Sequence, residues 1–303
     1  MPPSFLRAIL VATDLGEGSD AIVASAADLA AATRAELHVL TSFDLQPIPC
    51  AGGAAEAPSF PGRVAGARRA LEEQIARTVS LNVTVASREA VIFVAHKAIV
   101  ARAGDVSADL IVLGPHRPRT GDGLLGSTAD RVIRTSSVPV LVLRDRLSLP
   151  LGSVVAAVDL SEPARAALDE AISWTAALGA GGAPGSPGNL HVLHVVPRER
   201  GAGADEAVVA AELGREVEGA RTRTRRGGGD GEVGMFPQVR WAEDPAEEIL
   251  HATREHGADL LVLGTHGRGA ISRALIGSVA LAVARRAPCP VLLVPPAMWR
   301  QEA

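Results

Sequence analysis

Glycines at fixed distances after an apolar run, and a serine that opens a helix, are the residues in this sequence best suited to chemistry. Gly264-Thr265-His266-Gly267-Arg268-Gly269 follows the run Leu260 to Leu263, and Gly277-Ser278-Val279 leads into an apolar, helix-like stretch. Without a Cβ, Gly267 and Gly269 let the backbone approach a phosphate closely. A helix that starts at Gly277 and Ser278 presents unpaired N–H groups and the positive end of its dipole to an anion, and the Ser278 hydroxyl adds a donor. Arg268 and Arg273 are the cations of the segment. No Gly-x-x-x-x-Gly-Lys sequence occurs, so no lysine is placed on terminal phosphates as in a P-loop.

The strand before this loop is written twice. Ala108-Asp-Leu-Ile-Val-Leu-Gly114 and Ala258-Asp-Leu-Leu-Val-Leu-Gly264 differ at one position, and Leu37-His-Val-Leu40 recurs as Leu190-His-Val-Leu193. A period this long indicates two duplicated domains rather than a solenoid. A chain of 303 residues gives each half enough length for its own core. The expected domains are 1–147 and 150–303, joined by a short linker near Arg146 to Gly152. The loops after the two strands are not equivalent. In the first copy Pro115 removes an N–H, Arg117 stands where Gly267 stands in the second, and eight residues, Pro118 to Leu125, precede Gly126-Ser127.

The elements that must position these loops alternate along both halves. Apolar runs ending on an acid, Ala8 to Asp14 and Val154 to Asp159, have the length and uniformity of buried parallel strands. Helices are expected over Ser19–Ala32 and Pro163–Leu178, third strands over Val83–Ala86 and Gln238–Trp241, and a helix over Ala90–Ala103. Asp244-Pro245-Ala246-Glu247 predicts a capped helix start with a capping box, ending at Gly257. Ala51–Pro61 and Gly179–Gly188 look like loops, and the arginine cluster Arg221 to Arg226 like another. Both halves finish on apolar strands, Val138–Leu143 and Cys289–Val294. Alternating strand and helix imply a parallel sheet covered on both faces, with ligands at the carboxyl ends of the strands.

Several chemistries are disfavoured. A net charge of −4 provides no field for nucleic acid or an anionic membrane. Two cysteines, Cys50 and Cys289, make neither a disulfide framework nor a zinc site, and fit a reducing cytoplasm. Phe5 to Thr13 is too short, and too soon charged, for a signal peptide or span. His191 and His194 point to opposite faces of a strand, and His251 and His256 diverge on a helix, so neither pair shares a metal. His116 and His266 are expected to be solvent-exposed or bonded to backbone. After the first strand of each half, neither Gly16-Glu17-Gly18 nor Leu160-Ser161-Glu162-Pro163 completes a dinucleotide Gly-x-Gly-x-x-Gly, and no Gly-x-Ser-x-Gly elbow or carboxylate pair suggests hydrolysis. Asp14 and Asp159 fit either a ligand contact or a local cap or turn.

Gly264, two residues, Gly267, nine residues, then Gly277-Ser278 resembles the nucleotide-binding members of the universal stress protein family, and the resemblance extends over both halves as a tandem member. It implies α/β domains of the flavodoxin-like (adenine nucleotide α-hydrolase-like) type, each a five-stranded parallel sheet of order 3-2-1-4-5. It also implies ATP, with Mg2+ an open question, held in the second half by Asp159, Val192, Gly264, Thr265, His266, Gly267, Arg268, Gly277, Ser278 and Val279. The equivalents in the first half are Asp14, Val39, Gly114, Gly126 and Ser127, where the loop departs from the pattern. Family members commonly dimerise through their last strand. The two apolar terminal strands are accordingly expected to pair as an internal pseudo-dimer, leaving other surfaces for a homodimer. The expected role is regulatory or in stress survival, with hydrolysis slow and incidental. The competing functions are a nucleotide-free interaction protein and an adenylate-transferring enzyme.

Overall fold

The computed structural model describes residues 6–16, 18–43, 60–114, 125–180, 187–198, 205–226, 232–267 and 276–296. The first half runs β1 (Ala8–Thr13), α1 (Ser19–Thr33), β2 (Glu36–Phe43), α2 (Phe60–Thr78), β3 (Val85–Ile92), α3 (Ala95–Asp105), β4 (Leu110–Leu113), α4 (Ser127–Thr135) and β5 (Val140–Val142). The second repeats the series as β6 (Ser153–Ala157), α5 (Glu162–Leu178), β7 (Gly188–Pro197), α6 (Glu206–Arg226), β8 (Val233–Ala242), α7 (Pro245–Glu255), β9 (Leu260–Gly264), α8 (Ser278–Arg286) and β10 (Val291–Val294). The strands form one sheet in the order β3-β2-β1-β4-β5-β10-β9-β6-β7-β8. Each half therefore has the flavodoxin-like order 3-2-1-4-5 and is parallel throughout.

The halves meet where β5 and β10 pair antiparallel, Val142 with Val291, Leu141 with Leu292 and Val140 with Leu293. Leu141 and Leu292 hold the same place in the two repeats, so the pairing is centred on equivalent residues. Side chains alternate across the sheet into two cores that both run through the two halves. Ile9, Val11, Leu110 and Val112 face α1, α2, α5 and α6 on one side, and Leu10, Ile111 and Leu113 face α3, α4, α7 and α8 on the other.

The acid in each repeated Ala-Asp-Leu segment has a structural task. Asp109 Oδ2 accepts the N–H groups of Arg7 and Ala8 at 2.7 and 3.0 Å, and Asp259 Oδ2 those of Gly152 and Ser153 at the same distances. Each carboxylate thus holds the first residues of the neighbouring central strand. The turn before it is also shared. Gly257 takes φ +53° after α7, and Ser107 takes φ +49° after α3, a left-handed closure that glycine adopts without the penalty serine bears.

Some expectations change. The third strands are longer, Val85–Ile92 and Val233–Ala242, so Ala90 to Ile92 are strand and the following helix starts at Ala95. Arg221 to Arg226 form the last turns of α6 rather than a loop. Arg223 is anchored there by a forked pair to Asp169 on α5. Asp244 caps α7 through Ala246 and Glu247 N–H at 2.8 and 3.4 Å, while the Glu247 carboxylate pairs with Arg286 on α8. Gly179 and Gly188 bound the expected loop, and residues 181–186 within it lie outside the described residues.

Candidate functional site

At the carboxyl ends of β6, β7 and β9 a cleft of about 600 Å³ opens beside the start of α8, within the size range of small-ligand sites. Asp159 and Leu160 border it from β6, Leu193 to Pro197 from β7, and Val209 and Glu212 from α6. Gly264, His266 and Gly267 after β9, and Ile276 to Ala280 at the start of α8, complete it.

The acid at the end of β6 is fixed by a local turn. Asp159 Oδ1 accepts the Ser161 backbone N–H at 3.1 Å and the Ser161 hydroxyl, while its other oxygen lies beside Gly267, where a Cβ would collide with Oδ2. Any other residue at 267 would push this carboxylate or the loop aside. Leu160 follows at φ +57°, a left-handed conformation costing a leucine about 1–2 kcal/mol, and it directs the chain from β6 into α5. Asp14 makes the same turn onto Gly16 N–H at 2.9 Å, and Leu15 takes φ +60°. Both halves thus keep the strained corner.

Thr265 forms the base of the loop. Its N–H donates to Val294 O at 2.9 Å, its carbonyl accepts Gly277 N–H at 2.9 Å, and its hydroxyl meets His266 Nδ1 at 2.7 Å. His266 is buried at 4 % exposure, so of the two expected settings, solvent-exposed or bonded to backbone, the exposed one is corrected. Gly277 is the N-cap of α8, and Ser278 and Val279 are its first residues, which places their N–H groups at the cleft. Val192 is wholly buried in the core, and the cleft is bordered by the five residues after it. Arg268, Gly269 and Arg273 lie outside the described residues.

Sequence reasoning missed Val209 and Glu212, because α6 carried no recognised start signal, and read Pro245 as a helix start without bringing it or Ile249 to the cleft. It also missed His194, whose Nδ1 lies 2.7 Å from Val158 O. His191 and His256, each considered only within its own element, stack across elements with ring centroids 3.8 Å apart.

The first half diverges at the corresponding positions. Ile22 stands where α5 has Ala167, and a Cβ at Gly114 would come within 3.2 Å of Ile22 Cγ1, whereas one at Gly264 would find the Ala167 Cβ only at 3.9 Å. Thr13 and Ser19 replace Val158 and Ala164. Gln74 of α2, wholly buried, accepts from the Thr13 hydroxyl at 2.9 Å and donates to Ser19 Oγ at 2.9 Å and Asp20 Oδ1 at 2.7 Å. These side chains bond to one another across the positions where Val158 and Ala164 border the second-half cleft. Val39 is core, Gly126 caps α4 and Ser127 begins it, while Pro115, His116 and Arg117 lie outside the described residues.

The sequence model of the universal stress protein family matches residues 6–144 and 151–295. A universal stress protein of Thermus aquaticus is 52% identical over 50 residues, 16% of this chain and 36% of that protein. One of Bacillus subtilis is 36% identical over 64 residues, 21% of this chain and 43% of that protein. The chain thus aligns with less than half the length of these curated relatives. Its fold is that of a universal stress protein from Archaeoglobus fulgidus (TM-score 0.70, 21% identity, 97% of each chain). It is also that of a functionally unknown protein from Pseudomonas aeruginosa (TM-score 0.64, 20% identity, 98% of this chain and 95% of the other). With one match on each half, on the strand order and loop positions described above, the chain belongs to the universal stress protein family.

Proposed function

We propose that the second half binds ATP and that the chain acts as a nucleotide-dependent regulator in the cytoplasm, serving stress survival, with no dedicated reaction. The observation that carries this is the convergence, on one 600 Å³ cleft, of the Asp159 carboxylate, the Cβ-free Gly267 and the start of α8. The phosphates would lie against Gly277, on the backbone N–H groups of Ser278 and Val279, and along Gly264 to Gly267, where the helix dipole favours negative charge. Arg268 would add a cation. Asp159 and the backbone beyond Val192 would meet the adenosine end, with apolar Leu193, Val209 and Ile249 covering the base. Any Mg2+ would enter on the phosphates, and titration with and without it tests whether it is needed.

One nucleotide per chain is expected, because the larger Ile22 and the bonded Gln74, Thr13 and Ser19 stand at the first half's counterpart of the cleft. That half is the nucleotide-free partner. The halves, 1–147 and 150–303, form an internal pseudo-dimer through β5 and β10, and two chains can associate through other surfaces as a homodimer. Among the described residues no helix is long and apolar enough to cross a membrane.

The test is to denature the purified protein, identify released nucleotide by mass, and titrate the stripped protein with ATP. A Cβ at Gly277 would meet only Thr265 O, at 3.7 Å, and Gly277 has φ −57°, so Gly277→Val should fold. Its methyl groups would lie at the phosphate position. The expected result is one site per chain, weakened tenfold or more, about 1.4 kcal/mol per decade, by Gly277→Val. No ATP binding by the parent refutes the proposal, and two sites per chain refute the inactive first half.

A further inference from the structure

Helix α8 starts in the cleft and ends on the other half of the molecule. It has nine residues, which at 1.5 Å per residue is about 13 Å of axis. The last carbonyls of a helix lack intrahelical partners. Val283 O accepts the Ala287 N–H at 2.8 Å. The next two are taken by a side chain of the first half: the Arg144 guanidinium, just past β5, donates to Ala284 O at 3.3 Å and to Arg285 O. A cation at this end complements the helix dipole whose positive end faces the cleft.

A second path joins the same elements. Thr265, at the base of the glycine loop, rests on Val294 O of β10 through its N–H at 2.9 Å and its hydroxyl at 3.4 Å, and its carbonyl holds Gly277 N–H. β10 in turn pairs with β5, whose Val142 lies two residues before Arg144. The arrangement runs one way. The position equivalent to Arg144 in the second half is Pro295, which has no side-chain donor with which to hold the end of α4.

We infer that Arg144 of the first half is a positioning residue for the phosphate end of the second-half cleft, so that the eroded half sets how tightly the intact half holds a nucleotide. This rests on the nucleotide-binding role proposed above. The guanidinium fixes the axis of α8 from behind and adds to the field at its start. Its effect therefore falls on the phosphates and spares the nucleoside. By linkage, a bound triphosphate tightens the contact between halves by the same factor.

The test measures affinities of ATP and of adenosine by calorimetry for the parent, Arg144→Met and Arg144→Lys. Arg144→Met should weaken ATP about fivefold, the order expected for a partly buried cation at a helix end, and leave adenosine within about twofold. Arg144→Lys, which keeps the charge without the fork, should fall between, and it decides the matter if Arg144→Met does not fold. Equal losses for ATP and adenosine would reduce Arg144 to a structural residue, and unchanged affinities would remove the coupling. Failure of the parent itself to bind ATP would instead remove the binding role on which the inference rests.

Discussion

His38 and His191 occupy the same place in the two Leu-His-Val-Leu strands, and burial pushes both imidazoles below their ordinary range. For His38, Arg102 adds to this effect while Glu36 and Glu89 oppose it; for His191, His256 adds to it and Glu255 opposes it. His38 Nδ1 lies 2.8 Å from Ser87 Oγ. His191 is stacked between Phe236 and His256, and His256 Nε2 lies 3.2 Å from Gln238 Oε1. The folded state thus favours the neutral rings. Stability from these sites is complete above the unfolded imidazole value of about 6.5 and is lost as pH falls below it, because the unfolded chain then binds more protons. Urea midpoints should therefore fall from pH 7 to pH 5, and the paired variant His38→Gln/His191→Gln should show a shallower fall. An unchanged slope would mean that other groups carry the acid sensitivity.

At the scale of elements, what was legible followed from local chemistry. The strand cores, Pro163 at the start of α5, the Asp244 cap and the Gly257 closure each act within a few residues. The cleft was legible in part for the same reason: Gly264, Gly267, Gly277 and Ser278 lie on one loop and one helix start. Its other wall was not, because Val209, Glu212 and His194 reach it only through packing between distant segments. The same limit hid the first half's differences at Ile22 and Gln74, which depend on where α1 and α2 set those side chains. The repeated aspartates were legible as a repeat but not as staples, since their partners lie about a hundred residues away. Asp259→Ala leaves the Gly152 and Ser153 N–H groups unpaired in a part-buried position, and should cost about 1–3 kcal/mol. Asp109→Ala should cost less, because the Arg7 N–H it releases is exposed to water. Denaturant unfolding of the two variants checks the order, and equal costs would contradict it.

For the whole molecule, the consequence lies in the joint between the halves. Leu141 opposite Leu292 is a pairing of equivalent positions, with Val142 against Val291 and Val140 against Leu293 on either side. Such a joint is isologous in form, as in a two-fold dimer, although one chain supplies both sides. The fragment 1–147 would retain β5 as an edge of three buried apolar residues, and an edge of that kind recruits another strand. A second copy fits the requirement, since Leu141 can pair with its own counterpart in the antiparallel register the full chain already uses. Arg144 of each copy would then reach the end of α4 on the other, as it reaches the end of α8 in the intact chain. Sedimentation of the purified fragment is expected to show a dimer at micromolar concentration, dissociating when Arg144 is changed to Asp and its charge opposes the α4 carbonyls. A folded, monomeric fragment would show that β5 is satisfied by β10 alone, and that the two-fold form of the joint reflects duplication without an autonomous dimer interface.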